Sequence, residues 1–277
     1  MTRAIAVTCN STDIASTRKL VSTLIFSALG GLVSAAGAIA AEPAPVEAFS
    51  PDIHLSHSNG VATDEDSAYI SGGGLGVANL GVLPDSADVD AVHGLPSGDV
   101  LFSLDTSIVL GGTLYRPSDV IRFNGASWSK EFDGVGAGIP AGVNVDAIAM
   151  SGDDLLLSLD VDAELGSTVY SDADVIAFDG AIFSTFLDAT GVGITGSVDV
   201  DALHVDSQGR VLLSLDGSGE LGGILYSDED VLAWASPDWS MAFDGSADDA
   251  AWQPVDLDAW SLVFFDDKLF FDGFESE

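Results

Sequence analysis

Short apolar runs separated by Gly- and Asp-rich turns fill most of the chain beyond residue 60. Within one stretch, Val145 to Met150 alternates, and Leu155 to Leu159 is a nearly continuous apolar run after Ser151-Gly152-Asp153-Asp154. That pattern predicts a hairpin. Val175-Ile176-Ala177-Phe178 predicts a third strand and Ile182 to Leu187 a fourth, joined by a tight Asp179-Gly180 turn. Gly191-Val192-Gly193 then leads onward. No window beyond the N-terminus holds a helical period, so the chain reads as all-β.

The same stretch recurs. Asp90-Ala91, Asp146-Ala147, Asp201-Ala202 and Asp258-Ala259 open successive copies spaced 56, 55 and 57 residues apart. Leu104-Asp105, Leu159-Asp160 and Leu215-Asp216 keep phase, and Phe271-Asp272 matches them in the last copy. So do Tyr115, Tyr170 and Tyr226, each followed four residues on by Asp119, Asp174 or Asp230. Trp128, Phe183 and Trp239 share a position, as do Asp133, Asp188 and Asp244. A repeat of about 55 residues carrying four short strands is the pattern of a propeller blade. The last copy stops after Leu269-Phe270-Phe271-Asp272. Near the start, Thr63-Asp64-Glu65-Asp66 matches Ser227-Asp228-Glu229-Asp230, and Ala68-Tyr69-Ile70 continues as a third strand. The expected architecture is a four-bladed β-propeller over 61–277, its last blade built from an N-terminal outer half and a C-terminal inner half. Such closure removes exposed sheet edges.

The Asp-Ala openings, with Leu257-Asp258-Ala259 leading to Lys268-Leu269-Phe270-Phe271, resemble the inner hairpin of hemopexin-type four-bladed propellers. That resemblance implies an ion-occupied central channel near the dipeptide. The longer period and the missing ring-closing disulfide depart from that family. The whole unit, with Leu212-Leu213-Ser214-Leu215-Asp216 and Trp239-Ser240-Met241-Ala242-Phe243-Asp244-Gly245, resembles repeats of secreted bacterial proteins of uncharacterised function. Phe271-Asp272-Gly273-Phe274-Glu275 is similar to a short tail on exported bacterial proteins.

Residues 1–40 read as a signal peptide. Arg18 and Lys19 precede an Ala/Gly/Ser-rich apolar run from Leu20 to Ile39, and Ala38-Ile39-Ala40 fits a cleavage site. The run is nearly long enough for a retained anchor, but its small residues and the triplet favour removal. A flexible leader over 41–60, Pro- and Ala-rich to Pro51, is expected next. The product is then secreted, periplasmic or on the cell surface, and monomeric. The only cysteine, Cys9, lies in the presequence outside any lipobox, and a domain of this length buries enough core without disulfides.

The chain carries 44 acidic against 8 basic residues, a formal charge of −36. Such a field excludes nucleic-acid binding and attraction to anionic membranes. A solvated acidic surface that maintains solubility accounts for part of it. The acids are also phased: Asp88-Val89-Asp90, Asn144-Val145-Asp146, Asp199-Val200-Asp201 and Asp256-Leu257-Asp258 begin the four inner strands. Residues two apart share a strand face, so each pair is expected to point one way. Four inner strands around one axis bring these starts together. Two charges about 8 Å apart at an effective dielectric near 20 repel by about 2 kcal/mol, which a cation relieves. The candidate metal ligands are Asp90, Asp146, Asp201, Asp258, Asp88, Asp199 and Asp256, and Ca2+ is the ion that carboxylates and carbonyls prefer. Turn capping is the alternative role for these side chains.

A second acidic set, Asp64/Asp66, Asp119, Asp172/Asp174 and Asp228/Asp230, fits either blade-edge ions or Asx-type turns. Neither set matches an EF-hand or the nonapeptide calcium repeat. His93 and His204 share a position with Ala149 and Ser261, so the fold does not need a ligand there. His54 and His57 form a His-x-x-His with no further ligand nearby in sequence. Gly191-Val192-Gly193-Ile194-Thr195-Gly196 satisfies the dinucleotide fingerprint only formally, lying between blades. Neither a nucleophile elbow nor a cysteine nucleophile is present. The expectation is an exported, non-enzymatic propeller that binds a protein or glycan and is stabilised by axial Ca2+. A carbohydrate-active enzyme with a carboxylate site on one face, and a structural envelope or matrix component, are the alternatives.

Overall fold

The computed structural model describes residues 46–263 apart from 59, 65, 72, 73, 79, 196 and 197. The chain opens with β1 (Val46–Pro51), the hairpin β2 (Leu55–His57) and β3 (Gly60–Ala62), then β4 (Ala68–Ser71) and β5 (Gly74–Val77). The first full repeat has β6 (Ala91–Gly94), β7 (Val100–Ser103), β8 (Ile108–Leu110), β9 (Thr113–Tyr115), β10 (Val120–Phe123), β11 (Trp128–Phe132) and a helical turn α1 (Gly134–Ala137). The second has β12 (Val145–Ser151), β13 (Asp154–Leu159), β14 (Ala163–Leu165), β15 (Thr168–Tyr170), β16 (Val175–Phe178), β17 (Phe183–Leu187) and α2 (Ala189–Val192). The third has β18 (Ala202–Val205), β19 (Val211–Ser214), β20 (Gly219–Leu221), β21 (Ile224–Tyr226), β22 (Val231–Ala235), β23 (Asp238–Phe243) and α3 (Gly245–Asp248), and β24 (Leu257–Val263) follows.

Four antiparallel sheets result, with strand orders β6-β7-β10-β11, β12-β13-β16-β17, β18-β19-β22-β23 and β24-β1-β4-β5. This is the expected four-bladed β-propeller. Each blade also inserts a two-stranded hairpin between its second and third strands, a feature absent from the sequence reading. In the third repeat its tip folds back onto the outer strand: Gly222, at φ +58°, lies against Trp239. The β16–β17 turn differs in detail from the expected dipeptide turn. Asp179 Oδ1 accepts from Ala181 and Ile182 amides, so Ile182 belongs to the turn.

Ring closure joins the two ends of the chain, but not as two halves. β24 supplies only the innermost strand, and β1 pairs with it from Val46↔Val263 to Pro51↔Leu257. The second-strand place expected for Leu269-Phe270-Phe271 is therefore filled by Val46–Pro51, inside the stretch expected as a flexible leader. Phe49-Ser50-Pro51-Asp52 is the true counterpart of Phe102-Ser103-Leu104-Asp105. Ser50 Oγ donates to the carbonyls of Asp64 and Asp66, as Ser158 does to Asp172 and Asp174 and Ser214 to Asp228 and Asp230. The segment 1–40, expected as a signal peptide, and the tail 264–277 lie outside the described residues.

The core is divided among the blade interfaces. Ala147, Leu156, Val175 and Leu203 pack between the second and third repeats, and Leu101, Ile148 and Leu157 between the first and second. Val92, Phe102 and Ala259 join the first repeat to the closing blade. Phe49, Leu212, Trp252 and Trp260 join that blade to the third repeat. Trp128 and Trp239 reach across to the preceding connection, donating Nε1–H to the carbonyls of Leu80 and Val192 at 2.7 and 2.9 Å.

Four members of the second acidic set, Asp66, Asp119, Asp174 and Asp230, hold backbone amides. Asp119, Asp174 and Asp230 each accept with Oδ2 from the amide three residues earlier (Arg116, Ser171, Ser227). With Oδ1 they accept from the first residue of the next helical turn (Gly134, Ala189, Gly245). Asp66 Oδ2 accepts from Thr63. One carboxylate thus fixes both a strand entry and the connector to the next blade, which the blade-edge ion reading does not require. Asp133, Asp188 and Asp244 cap those connectors by accepting from Gly136, Gly191 and Ala247.

Candidate functional site

The inner strands start at one end of the axis, and their acids form three tiers there. The mouth tier is Asp52, Asp105, Asp160 and Asp216, one at the end of each second strand. Their amides donate to the carbonyls of Asp256, Asp88, Asn144 and Asp199 at 3.2–3.4 Å. In return, Asp52, Asp160 and Asp216 accept with Oδ1 from the amides of Asp256, Asn144 and Asp199, each at 2.8 Å. This reciprocal clamp fixes where three of the four inner strands begin. The sequence reading recorded three of these four positions as repeat markers and missed their place in the site.

The middle tier is Asp88, Asn144, Asp199 and Asp256. Asp199 and Asp256 turn one oxygen onto the next amide in the chain, Val200 and Leu257, at 2.7 and 2.8 Å. These two cap turns, as the alternative reading of the ring expected. Buried oxygens remain without a protein partner at Asp88 Oδ1 and Asn144 Oδ1.

The inner tier is Asp90, Asp146, Asp201 and Asp258, which together line a cavity of ≈ 150 Å³. Two of them sit at register shifts. Pairing passes from Val145↔Leu159 to Ala147↔Ser158 and skips Asp146, and it passes from Leu257↔Pro51 to Ala259↔Ser50 and skips Asp258. The aspartate is the extra residue of a bulge, which re-aims its side chain. The convergence of four blades on one channel is what the repeat phase suggests. Asn144 Nδ2 donates to Asp90 Oδ2, and Asp201 Oδ2 is buried without a partner.

Electrostatics follow from that burial. Desolvation pushes Asp90 up to about 8, Asp258 to about 9 and Asp201 to about 10, with neighbouring carboxylates adding to each. Asp146 and Asp199 share a hydrogen bond, and burial raises both, Asp146 further. Asp88 rises to about 7 and Asp256 to about 6, burial again leading. The inner tier therefore holds protons at neutral pH when nothing else supplies positive charge. Among the described residues, no three His, Cys, Asp or Glu side chains already converge in a metal cluster. The four carboxyl groups line the wall of the cavity.

The histidine pair His54/His57 does not converge. His54 is exposed, whereas His57 is buried in β2 with Nε2 3.0 Å from Asp248 Oδ2, tying the closing blade's hairpin to α3.

The chain matches no protein family and no curated protein by sequence. Solved structures with a similar chain path include the extracellular domain of BT4673 from B. thetaiotaomicron, at 9% identity and a TM-score of 0.32, covering 70% of this chain and 22% of that one. The extracellular domain of BT3049 from the same organism gives 11%, 0.34, 69% and 23%. A luciferin-regenerating enzyme gives 9%, 0.34, 70% and 61%. The chain thus spans less than a quarter of either extracellular domain. These likenesses add nothing to the fold read from the sheets, and neither the hemopexin-type nor the secreted-repeat resemblance gains a family from them.

Proposed function

We propose that this chain is an exported, non-enzymatic binding module whose axial well takes up a cation, with a protein or glycan as its partner. One observation carries the reading: four carboxylates, one from each blade, line a single cavity. Raising one buried carboxyl by about four pH units corresponds to about 5 kcal/mol. A whole domain has only about 5–15 kcal/mol of stability. Four bare carboxylates would consume all of it, so positive charge must enter as protons or as a cation.

Ca2+ is the cation that the donors fit. The four side chains that line the well are all carboxylates, and buried acceptors at Asp88, Asn144 and Asp201 have no protein partner. Hard cations with six to eight oxygen ligands favour such a set. Asp90, Asp146, Asp201 and Asp258 would hold the ion, with Asp88, Asn144, Asp199 and Asp256 behind them. Bound there, it would neutralise the well and tie the four blades through one centre. The cavity has room for several waters, so some ligands can be solvent.

The rivals have less support. A cavity of ≈ 150 Å³ is below the roughly 300–1,000 Å³ of small-molecule sites, which weighs against polysaccharide cleavage there. A purely solvating acidic surface does not account for carboxyls withdrawn from solvent. Export rests on the pattern of residues 18–40.

The test is the melting temperature of the exported protein in EDTA, then in millimolar Ca2+, Mg2+ or NaCl at matched ionic strength. A saturable rise specific to Ca2+ supports the reading, because a ligand of the folded state stabilises by mass action. An equal rise in all three salts means screening and overturns it.

A further inference from the structure

Three residues beyond the inner-tier aspartates, ~10 Å along each strand by its rise, the four blades present His93, Ala149, His204 and Ser261. The two imidazoles approach from opposite blades with centroids 5.8 Å apart. Ser261 Oγ lies 3.2 Å from His204 Nδ1 and 3.5 Å from His93 Nδ1. All three side chains are buried. The remaining blade contributes only the Ala149 methyl, so one side of the group has no protein donor.

We propose that His93, His204 and Ser261 form a second axial site, one that takes a borderline divalent transition metal of the Zn2+/Cu2+ class. Imidazole nitrogen is the donor these ions favour, in contrast to the all-oxygen well. Donors about 2.0–2.1 Å from a tetrahedral centre lie ~3.3 Å from one another. The observed 3.2 and 3.5 Å separations bracket that value. The fourth position, above Ala149, is left for water or an exogenous ligand.

Protonation agrees with the geometry. Burial lowers His93 to about 3 and His204 to about 4, so both rings are neutral near pH 7, as metal ligation needs. Without metal, one Nδ1–H donates to Ser261 Oγ, whose own proton goes to the other Nδ1. Metal entry requires both rings in the Nε2–H form and the serine proton turned away. That is a tautomer change with no net proton released.

The experiment titrates Cu2+ into the exported protein with millimolar Ca2+ present to occupy carboxylates, followed by electron paramagnetic resonance. The expected result is one equivalent of Cu2+ with hyperfine splitting from two imidazole nitrogens, lost in His204→Ala and retained in Asp201→Asn. Alanine already occupies this position in one blade, so His204→Ala should fold, and its melting curve checks that. An oxygen-only spectrum in the unaltered protein overturns the proposal without any variant. A nitrogen signal that survives both His93→Ala and His204→Ala does the same by placing the metal elsewhere.

Discussion

Replacing Asp201 with Asn isolates the cost of keeping a carboxyl in the well. Burial pushes the Asp201 carboxyl up to about 10, against an ordinary value of 3.8. A raised folded-state pKa means stability that is fully present below the unfolded pKa and is lost as pH climbs towards the folded one. Between those limits the unfolded chain releases a proton that the folded chain keeps, at about 1.4 kcal/mol per pH unit. At pH 7 the penalty is therefore about 4 kcal/mol, and the neutral amide escapes it. For a domain of this size, 1 kcal/mol moves Tm by about 2–4 °C. Asp201→Asn should then melt roughly 8–16 °C above the unaltered protein at pH 7 in EDTA. The difference should vanish near pH 4 and widen as pH rises.

Calcium supplies the control on sign. In millimolar Ca2+ the unaltered protein should recover most of that difference, because the cation replaces the proton, while the variant has lost a ligand and gains less. Melting curves from pH 4 to 9, with and without Ca2+, read both effects. A pH-independent difference, or a variant less stable than the parent in EDTA at pH 7, would refute the charge argument and return Asp201 to a packing role.

Asp174→Ala should cost about 3–5 kcal/mol by urea unfolding: it deletes two charge-assisted hydrogen bonds, at 3.0 and 2.9 Å, each worth about 1.5–3 kcal/mol. Phe49→Ala should cost about 3–5 kcal/mol, since the ring is buried and edge-on to Trp252 at 4.9 Å. Limited proteolysis should then cut the closing blade first, and uniform cutting of all blades would count against β1 as the closure.

Repeat phase made the blades legible because the same apolar runs and Asp positions return at a fixed spacing. The inserted hairpins were not legible, as strands of three residues such as Ala163–Leu165 are too short for alternation to register. Closure was misread through proline. Pro51 takes the place of Leu104 in the Phe-Ser-Leu-Asp unit, and it falls where the β1 register shifts, a position that tolerates a missing amide hydrogen. Phe271-Asp272 offered a closer match to the eye. The acids of the well were legible as a phased set, because the residue that opens each repeat is the one that meets its counterparts on the axis.

Hydrogen bonding now separates the acidic positions by what each one does. Asp160 and Asp216 clamp the inner strands, Asp199 and Asp256 hold their neighbouring amides, and Asp174 and Asp230 staple connectors. Backbone geometry alone accounts for an aspartate at each of those places. Among the described residues, the inner tier has no such role: no hydrogen bond from a backbone amide reaches Asp90, Asp146, Asp201 or Asp258, and Asp90 is met only by the Asn144 side chain. A fourfold repeat multiplies whatever it places near the axis, so one unneeded carboxyl per blade becomes four facing each other across ≈ 150 Å³. Asparagine at those places would fill the same volume without the charge cost, and the chain does use asparagine one tier above, at residue 144. What distinguishes aspartate from asparagine in this setting is the ability to hold positive charge, which is why the well, rather than the acidic surface at large, is where a cation is to be sought.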